Sequence, residues 1–211
     1  MNGFFVTGTD TDVGKTVVSA WLLAHLDACY WKPVQAGAEP ETDSQTVRRI
    51  ANLAEDRILP EAYLLRDPIA PHEAARRSGI AIDMARLAPP PITNRLLVVE
   101  GAGGLLVPLN DEAYVIDLAT VLHLPVILVA RSTLGTINHT LLSLEALRRR
   151  GVPIAGVVVN GPETSHNRAA IEHYGQVRVI AEIPWLETVT LEALLAIEPE
   201  LDLVQLARAE P

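Results

Sequence analysis

GFFVTGTDTDVGKT, residues 3–16, decides how the rest of the chain is read. Gly3–Thr7 is an apolar run of strand length, and Lys15–Leu26 continues as an apolar stretch of helical length. Between them stands Gly8-Thr9-Asp10-Thr11-Asp12-Val13-Gly14-Lys15-Thr16. A strand, a turn ending in Gly-Lys-Thr and a helix form the context of a phosphate-binding loop. The physics is local. Gly14 lets the backbone curl so that successive N–H groups converge on phosphate oxygens, and the helix starting near Lys15 adds its positive dipole end. Lys15 supplies a charge for the β- and γ-phosphates, and Thr16 a hydroxyl for Mg²⁺. The loop departs from G-x-x-x-x-G-K-[ST]. Gly8 stands one residue early, and Thr9 occupies the expected glycine position.

Outward from the loop, the same alternation continues. Strands are expected at Ala28–Trp31, Leu96–Glu100, Val126–Ala130, Ile154–Asn160 and Val177–Ala181. Helices are expected at Thr42–Leu53, Val115–Leu122, Thr136–Arg150 and Ser165–Tyr174. Strands apolar at every position are buried on both faces, and strand–helix alternation means a parallel sheet with right-handed crossovers. The expectation is therefore an α/β chain of the phosphate-loop NTPase type, a mostly parallel sheet with helices on both faces. It forms one domain over residues 1–211, with an irregular Pro-rich excursion around 60–91 and a polar tail after Leu203 prone to fraying. Ligands of such sheets bind at the carboxyl ends of the strands. Here those ends read TGTDTDVGKT, KPVQAG, EGAGG, ARSTLG and NGPE, rich in glycine and polar residues.

Composition narrows the function. Of 211 residues, 49% are hydrophobic and 20% charged, which excludes a disordered chain. Seventeen basic against 26 acidic residues give a net charge of −9, a poor match to nucleic acid or an anionic membrane surface. An anion must be met by backbone donors and a few placed cations. Mean hydropathy is +0.22, yet no apolar run reaches the ~18 residues of a membrane helix. The N-terminus carries no basic stretch and meets acid at Asp10, unlike a secretion signal. Cys29 is the only cysteine, so no intrachain disulfide can form, in keeping with a cytoplasmic address.

Several side chains outside the loop bear chemistry. Glu100 ends the strand LLVVE before Gly101-Ala102-Gly103-Gly104, where an acid beside a phosphate loop holds metal. Asp43 begins a helix and either caps it or serves the site. Lys32, just past a buried strand, either points to the same edge as the loop or is solvated. Asp12 is either a helix-start acid favoured by the dipole or a carboxylate facing a substrate amine. Cys29 reads as core, His139 as a packed or capping histidine, and Arg148–Arg150 as a solvated helix end. No His/Cys cluster has zinc spacing.

At these residues the chain resembles the dethiobiotin synthetase family over nearly its whole length. The matching segments are GTDTDVGKT at 8–16, WKPVQAG at 31–37, Thr42-Asp43, PHEAA at 71–75 and VEGAGG at 99–104. LGTINHT at 134–140, VVVNG at 157–161 and EIPW at 182–185 follow in the family's order. The resemblance implies that Lys15 and Lys32 flank the reacting phosphoryl group and carbamate, and that Thr16, Asp43 and Glu100 are the Mg²⁺ ligands. It implies an ATP site over Asp12, Val13, Gly14, Lys15, Thr16 and Val17, with Asp43, Glu100, Gly101, Ala102 and Gly103 across from it. Asn160 and Gly161 are similar to an adenine-reading pair, and Pro184, Trp185 and Leu186 to a segment closing over the base. Thr11 and Ala36 fall at substrate positions. Gly135, Thr136 and Asn138 resemble the helix start that takes the substrate's carboxylate tail across a homodimer interface. One departure stands out, since Ala36 occupies a family Ser/Thr position and lacks its hydroxyl. The implied activity is ATP- and Mg²⁺-dependent carboxylation and ring closure of 7,8-diaminononanoate in biotin biosynthesis.

Two other readings share the fold. A partition-type switch ATPase carries a lysine five residues before the loop lysine, but that position is Asp10 here, and such proteins lack the KPV segment. An ATP-dependent amidating ligase needs a glutaminase region for which 211 residues leave no room.

Overall fold

Strands that are apolar at every position become the middle of a seven-stranded parallel sheet. The computed structural model describes residues 2–92, 94–162 and 165–208, so Glu163 of the NGPE turn lies outside the described residues. The first half of the chain forms β1 (Gly3–Gly8), α1 (Lys15–His25), β2 (Ala28–Trp31), β3 (Val34–Ala36), α2 (Asp43–Ile50), β4 (Ile58–Leu59), β5 (Tyr63–Leu65) and α3 (Pro71–Arg77). The second half forms β6 (Leu96–Gly104), α4 (Val115–Leu122), β7 (Val126–Arg131), α5 (Thr136–Arg149), β8 (Ile154–Asn160), α6 (Ser165–Gly175), β9 (Val179–Ile183), α7 (Leu191–Leu195) and α8 (Leu203–Arg208). The strand order is β4-β2-β6-β1-β7-β8-β9. The chain thus winds away from β1 in one direction and returns to add β7, β8 and β9 on the other side, which makes the carboxyl end of β1 the topological switch point.

The core lies in two layers. On one face, α1, α2, α7 and α8 cover Phe4, Val6, Tyr30 and Val98. On the other, α3, α4, α5 and α6 cover Phe5, Trp31, Leu97 and Val99. Neighbours in one strand go to opposite layers because successive side chains of a strand point to opposite faces. Each fully buried aliphatic side chain contributes roughly 1.5–3 kcal/mol. Trp21 of α1 is fully buried, and its Nε1 donates to the Ile197 carbonyl at 2.7 Å.

The Pro-rich excursion is more ordered than its composition suggests. β5 pairs in parallel with β3 as a separate two-stranded ribbon, and Pro71 opens α3 in the first helical turn, where its missing N–H costs nothing. At the other end, Leu203–Arg208 of the tail expected to fray forms a helix, with Leu203 and Ala207 buried in the α1 layer, and residues 209–211 of that tail lie outside the described residues. The expected strand at 177–181 shifts to Val179–Ile183, and β6 runs on to Gly104.

Candidate active site

Strand register assembles the site. Val6 of β1 lies beside Glu100 of β6, and Trp31 of β2 lies beside Val99. The next residue after Trp31 is Lys32, which therefore arrives level with Glu100. Lys32 Nζ lies 2.9 Å from Glu100 Oε1 and 2.6 Å from Asp43 Oδ2, and donates to the Gly101 carbonyl at 3.0 Å. Lys32 and Glu100 are both buried. Burial disfavours the Lys32 charge, but Glu100 and Asp43 outweigh it and hold the ammonium above its ordinary pKa.

Asp43 does not cap its helix. Thr42 does, accepting from the Gln45 amide at 3.2 Å while its own N–H donates to Gln45 Oε1 at 2.9 Å. That capping box leaves the Asp43 carboxylate free to face Lys32. Burial works against the Asp43 charge, yet Lys32 holds its carboxyl below the usual value.

The loop sits over this group. Gly14 adopts φ 97°, a left-handed conformation that favours glycine, and a Cβ there would push against the Asn160 side chain. Asp12 is held at φ 57°, a left-handed conformation that aspartate tolerates better than most residues, and it is exposed. Lys15 Nζ donates to the Asp10 carbonyl at 3.1 Å. Burial and then the nearby Lys32 charge lower its pKa, so a polyanion between the two ammonium groups would relieve their repulsion. Arg131 at the end of β7 pairs with Asp10 Oδ2 at 2.6 Å and ties the loop to the neighbouring strand.

Glu100 accepts four side-chain hydrogen bonds. Thr16 Oγ1 (3.1 Å) and Lys32 reach Oε1; Ser19 Oγ (2.8 Å) and the Tyr30 hydroxyl (2.9 Å) reach Oε2. Burial, then the Glu100 charge, push the Tyr30 phenol well above its usual pKa, so it stays a donor at neutral pH. Sequence reading missed Ser19, Tyr30 and Arg131. The signal for the first two was periodicity: Ser19 is one turn beyond Thr16, and Tyr30 is two residues before Lys32 on the same sheet face.

Lys15, Thr16, Lys32, Asp43 and Glu100 line a cleft of about 690 Å³. Thr11, Asp12, Gly14, Lys15 and Thr16 of the loop line it together with Lys32, Ala36 and Asp43 and with Glu100, Ala102 and Gly103 of β6. Pro68–Pro71 of the excursion also lines it. Val13, Val17 and Gly101 flank it. The Val13 carbonyl accepts from Asn160 Nδ2 at 3.0 Å. The Gly161 N–H donates to the Ile183 carbonyl at 2.9 Å, which places Asn160-Gly161 beside Pro184, exposed Trp185 and Leu186. Asn160 adjoins the loop, and none of these residues lines the cleft. Gly135, Thr136 and Asn138 are also outside it, at the start of α5, with Asn138 exposed and the Thr136 hydroxyl buried.

The donor set fits a hard cation. Thr16, Asp43 and Glu100 offer only oxygen, and the Lys32 ammonium already bridges both carboxylates, as a positive group between them would. No group of three or more His, Cys, Asp or Glu placed to hold a metal ion by itself is present among the described residues. Two carboxylates plus nucleotide phosphate oxygens is the Mg²⁺ pattern rather than a complete protein cage.

Together the switch-point loop, the paired lysines and the acids define a phosphate-loop α/β nucleotide-binding protein, and the family described as an AAA domain matches residues 2–193. The chain is 57% identical over 199 residues to an ATP-dependent dethiobiotin synthetase BioD of Paramagnetospirillum magneticum, covering 94% of this chain and 96% of that one. It belongs to the ATP-dependent dethiobiotin synthetase family. The corresponding protein of Agrobacterium fabrum is 53% identical, covering 90% of each chain. Among solved structures, a ParA family ATPase from Chlorobium tepidum superposes with a TM-score of 0.54 over 93% of this chain and 90% of that one. At 15% identity that likeness carries the fold alone. No helix among the described residues is long and apolar enough to cross a membrane.

Proposed function

We propose that this protein uses ATP to carboxylate 7,8-diaminononanoate and close the cyclic urea of dethiobiotin, releasing ADP and phosphate. The observation that carries this reading is the meeting of Lys15 and Lys32 with Thr16, Asp43 and Glu100 in one cleft. One substrate amine adds CO₂ to give a carbamate. Carbamate oxygen attacks the γ-phosphate of ATP, and the second amine then attacks the mixed anhydride's carbonyl, expelling phosphate. Carbamate and γ-phosphate are both anionic, so the protein's work is to hold them together. Lys15 and the loop N–H groups take the phosphates, Lys32 takes the carbamate side, and Thr11 and Asp12 face the diamine. Mg²⁺, held by Thr16, Asp43 and Glu100, would neutralise charge on the transferring group. Asn160, Gly161 and the 184–186 segment take the adenine.

The start of α5 takes the substrate carboxylate, in a homodimer in which a second copy completes the site. Two features support this. An α-helix N-terminus is a ready anion site. Leu134 beside it is fully exposed, and Leu142 is 57% exposed, apolar surface that a second copy would cover. A cytoplasmic location suits the single buried cysteine.

The test is phosphate release. It is expected to require both the diamine and bicarbonate, and light scattering is expected to give twice the 22.8 kDa chain mass. ATP hydrolysis indifferent to both substrates would sink the reading in favour of a switch ATPase.

Ala36 provides a further check. It lines the cleft, and the neighbouring Gln35 amide is already committed, donating to the Gly37 carbonyl at 2.8 Å and accepting from the Asp43 N–H at 3.2 Å. Ala36→Ser or Ala36→Thr is expected to add a contact worth ~0.5–1.5 kcal/mol, roughly a 2- to 10-fold lower KM for the diamine. Steady-state kinetics with unchanged KM and kcat would mean that a hydroxyl at this position meets nothing.

A further inference from the structure

Tyr30 is a large, fully buried residue whose only side-chain polar atom, the phenol oxygen, donates to Glu100. Its position follows from the pleat. Tyr30 pairs with Val98, two residues before Glu100 and on the same face, so a side chain as long as a phenol reaches along that face to the carboxylate. Ser19 approaches the same oxygen from α1, one turn after Thr16.

The four donors divide cleanly. Tyr30 and Ser19, both fully buried, occupy Glu100 Oε2. Thr16 and Lys32, which line the cleft, occupy Oε1. A free carboxylate rotates about its last bond and can chelate through both oxygens or turn away. With Oε2 held by two neutral donors, Glu100 presents one oxygen in one direction.

We propose that Tyr30, with Ser19, is a positioning residue for the cation site: the pair pins Glu100 Oε2 so that only Oε1 is offered to the Mg²⁺ of the bound nucleotide. This rests on the reading that Glu100 is a ligand of that ion. Partners one shell out from a metal commonly set affinity by about 10- to 100-fold, because they fix the ligand's direction before the ion arrives.

The experiment is a Mn²⁺ titration followed by electron paramagnetic resonance, on the full-length protein with ADP bound, for wild type, Tyr30→Phe, Ser19→Ala and Glu100→Gln. Tyr30→Phe keeps the ring and removes only the donor. It is expected to weaken Mn²⁺ about 10-fold and to raise the half-saturating Mg²⁺ in turnover by a similar factor. Ser19→Ala is expected to act in the same direction, which keeps the test open should Tyr30→Phe fold poorly. A purely packing role would lower Tm and leave the Mn²⁺ affinity alone. If Glu100→Gln weakens Mn²⁺ while Tyr30→Phe and Ser19→Ala do not, the positioning inference is overturned and the ligand reading stands. If Glu100→Gln also leaves Mn²⁺ unchanged, the ligand reading fails and takes the inference with it.

Discussion

Lys32→Ala is expected to lower turnover by about 100-fold, the scale of losing one placed charge that stabilises a transition state. It is also expected to destabilise the free protein. Lys32 neutralises two carboxylates at 2.6 and 2.9 Å, and Glu100 is completely buried at its side chain. Breaking a buried pair by removing one partner costs about 3–5 kcal/mol. The lower end is expected here, because the Asp43 side chain is 31% exposed and Lys15 lies near. The two effects separate by melting with and without Mg²⁺ and ADP. The loss of Tm is expected to shrink when the divalent ion is present, since a cation is restored between the acids, while turnover stays low. Wild-type turnover in the variant would remove Lys32 from the chemistry and leave it a structural counter-ion.

Glu100→Gln is the second large effect. The amide keeps the shape but loses the charge, and its nitrogen cannot accept from Tyr30, Ser19, Thr16 or Lys32. Turnover is expected to fall about 100-fold, with at least a 10-fold higher Mg²⁺ requirement. Asp43→Asn is expected to raise the Mg²⁺ requirement as well. Since Thr42 and Gln45 make the cap, its helix loses less than the ~1 kcal/mol of a cap deletion. A Mg²⁺ titration of initial rates, with melting curves alongside, decides both. An unchanged Mg²⁺ requirement in Glu100→Gln would exclude it as a ligand.

Most of the fold was legible because the apolar runs are continuous. β2, β8 and α4 begin and end where residue pattern places them, and the phosphate loop lies between β1 and α1. The meeting of Lys32 and Glu100 was not legible without register. It depends on Trp31 pairing with Val99, a long-range fact that no local pattern carries. The capping box was written in the sequence as Thr42-Asp43-Ser44-Gln45 and still left Asp43 open between two roles, because capping and ligation favour the same residue type. Tyr30 was invisible for another reason. A tyrosine in a buried strand looks like core, and only the fourfold hydrogen bonding of one carboxylate distinguishes it. The ribbon of β3 and β5 was lost because Pro60, Pro68 and Pro71 read as punctuation, although two strands of three residues can pair between prolines.

The family match ends at residue 193, yet the chain's last turns are not an appendage. Trp21, two turns into the helix that presents Lys15 and Thr16, hangs on the carbonyl of Ile197, and Leu203 and Ala207 fill the same apolar layer as Val18. The phosphate loop therefore has a backrest built from the far terminus. Trimming or crowding that terminus would loosen the grip on nucleotide without altering one atom that meets it.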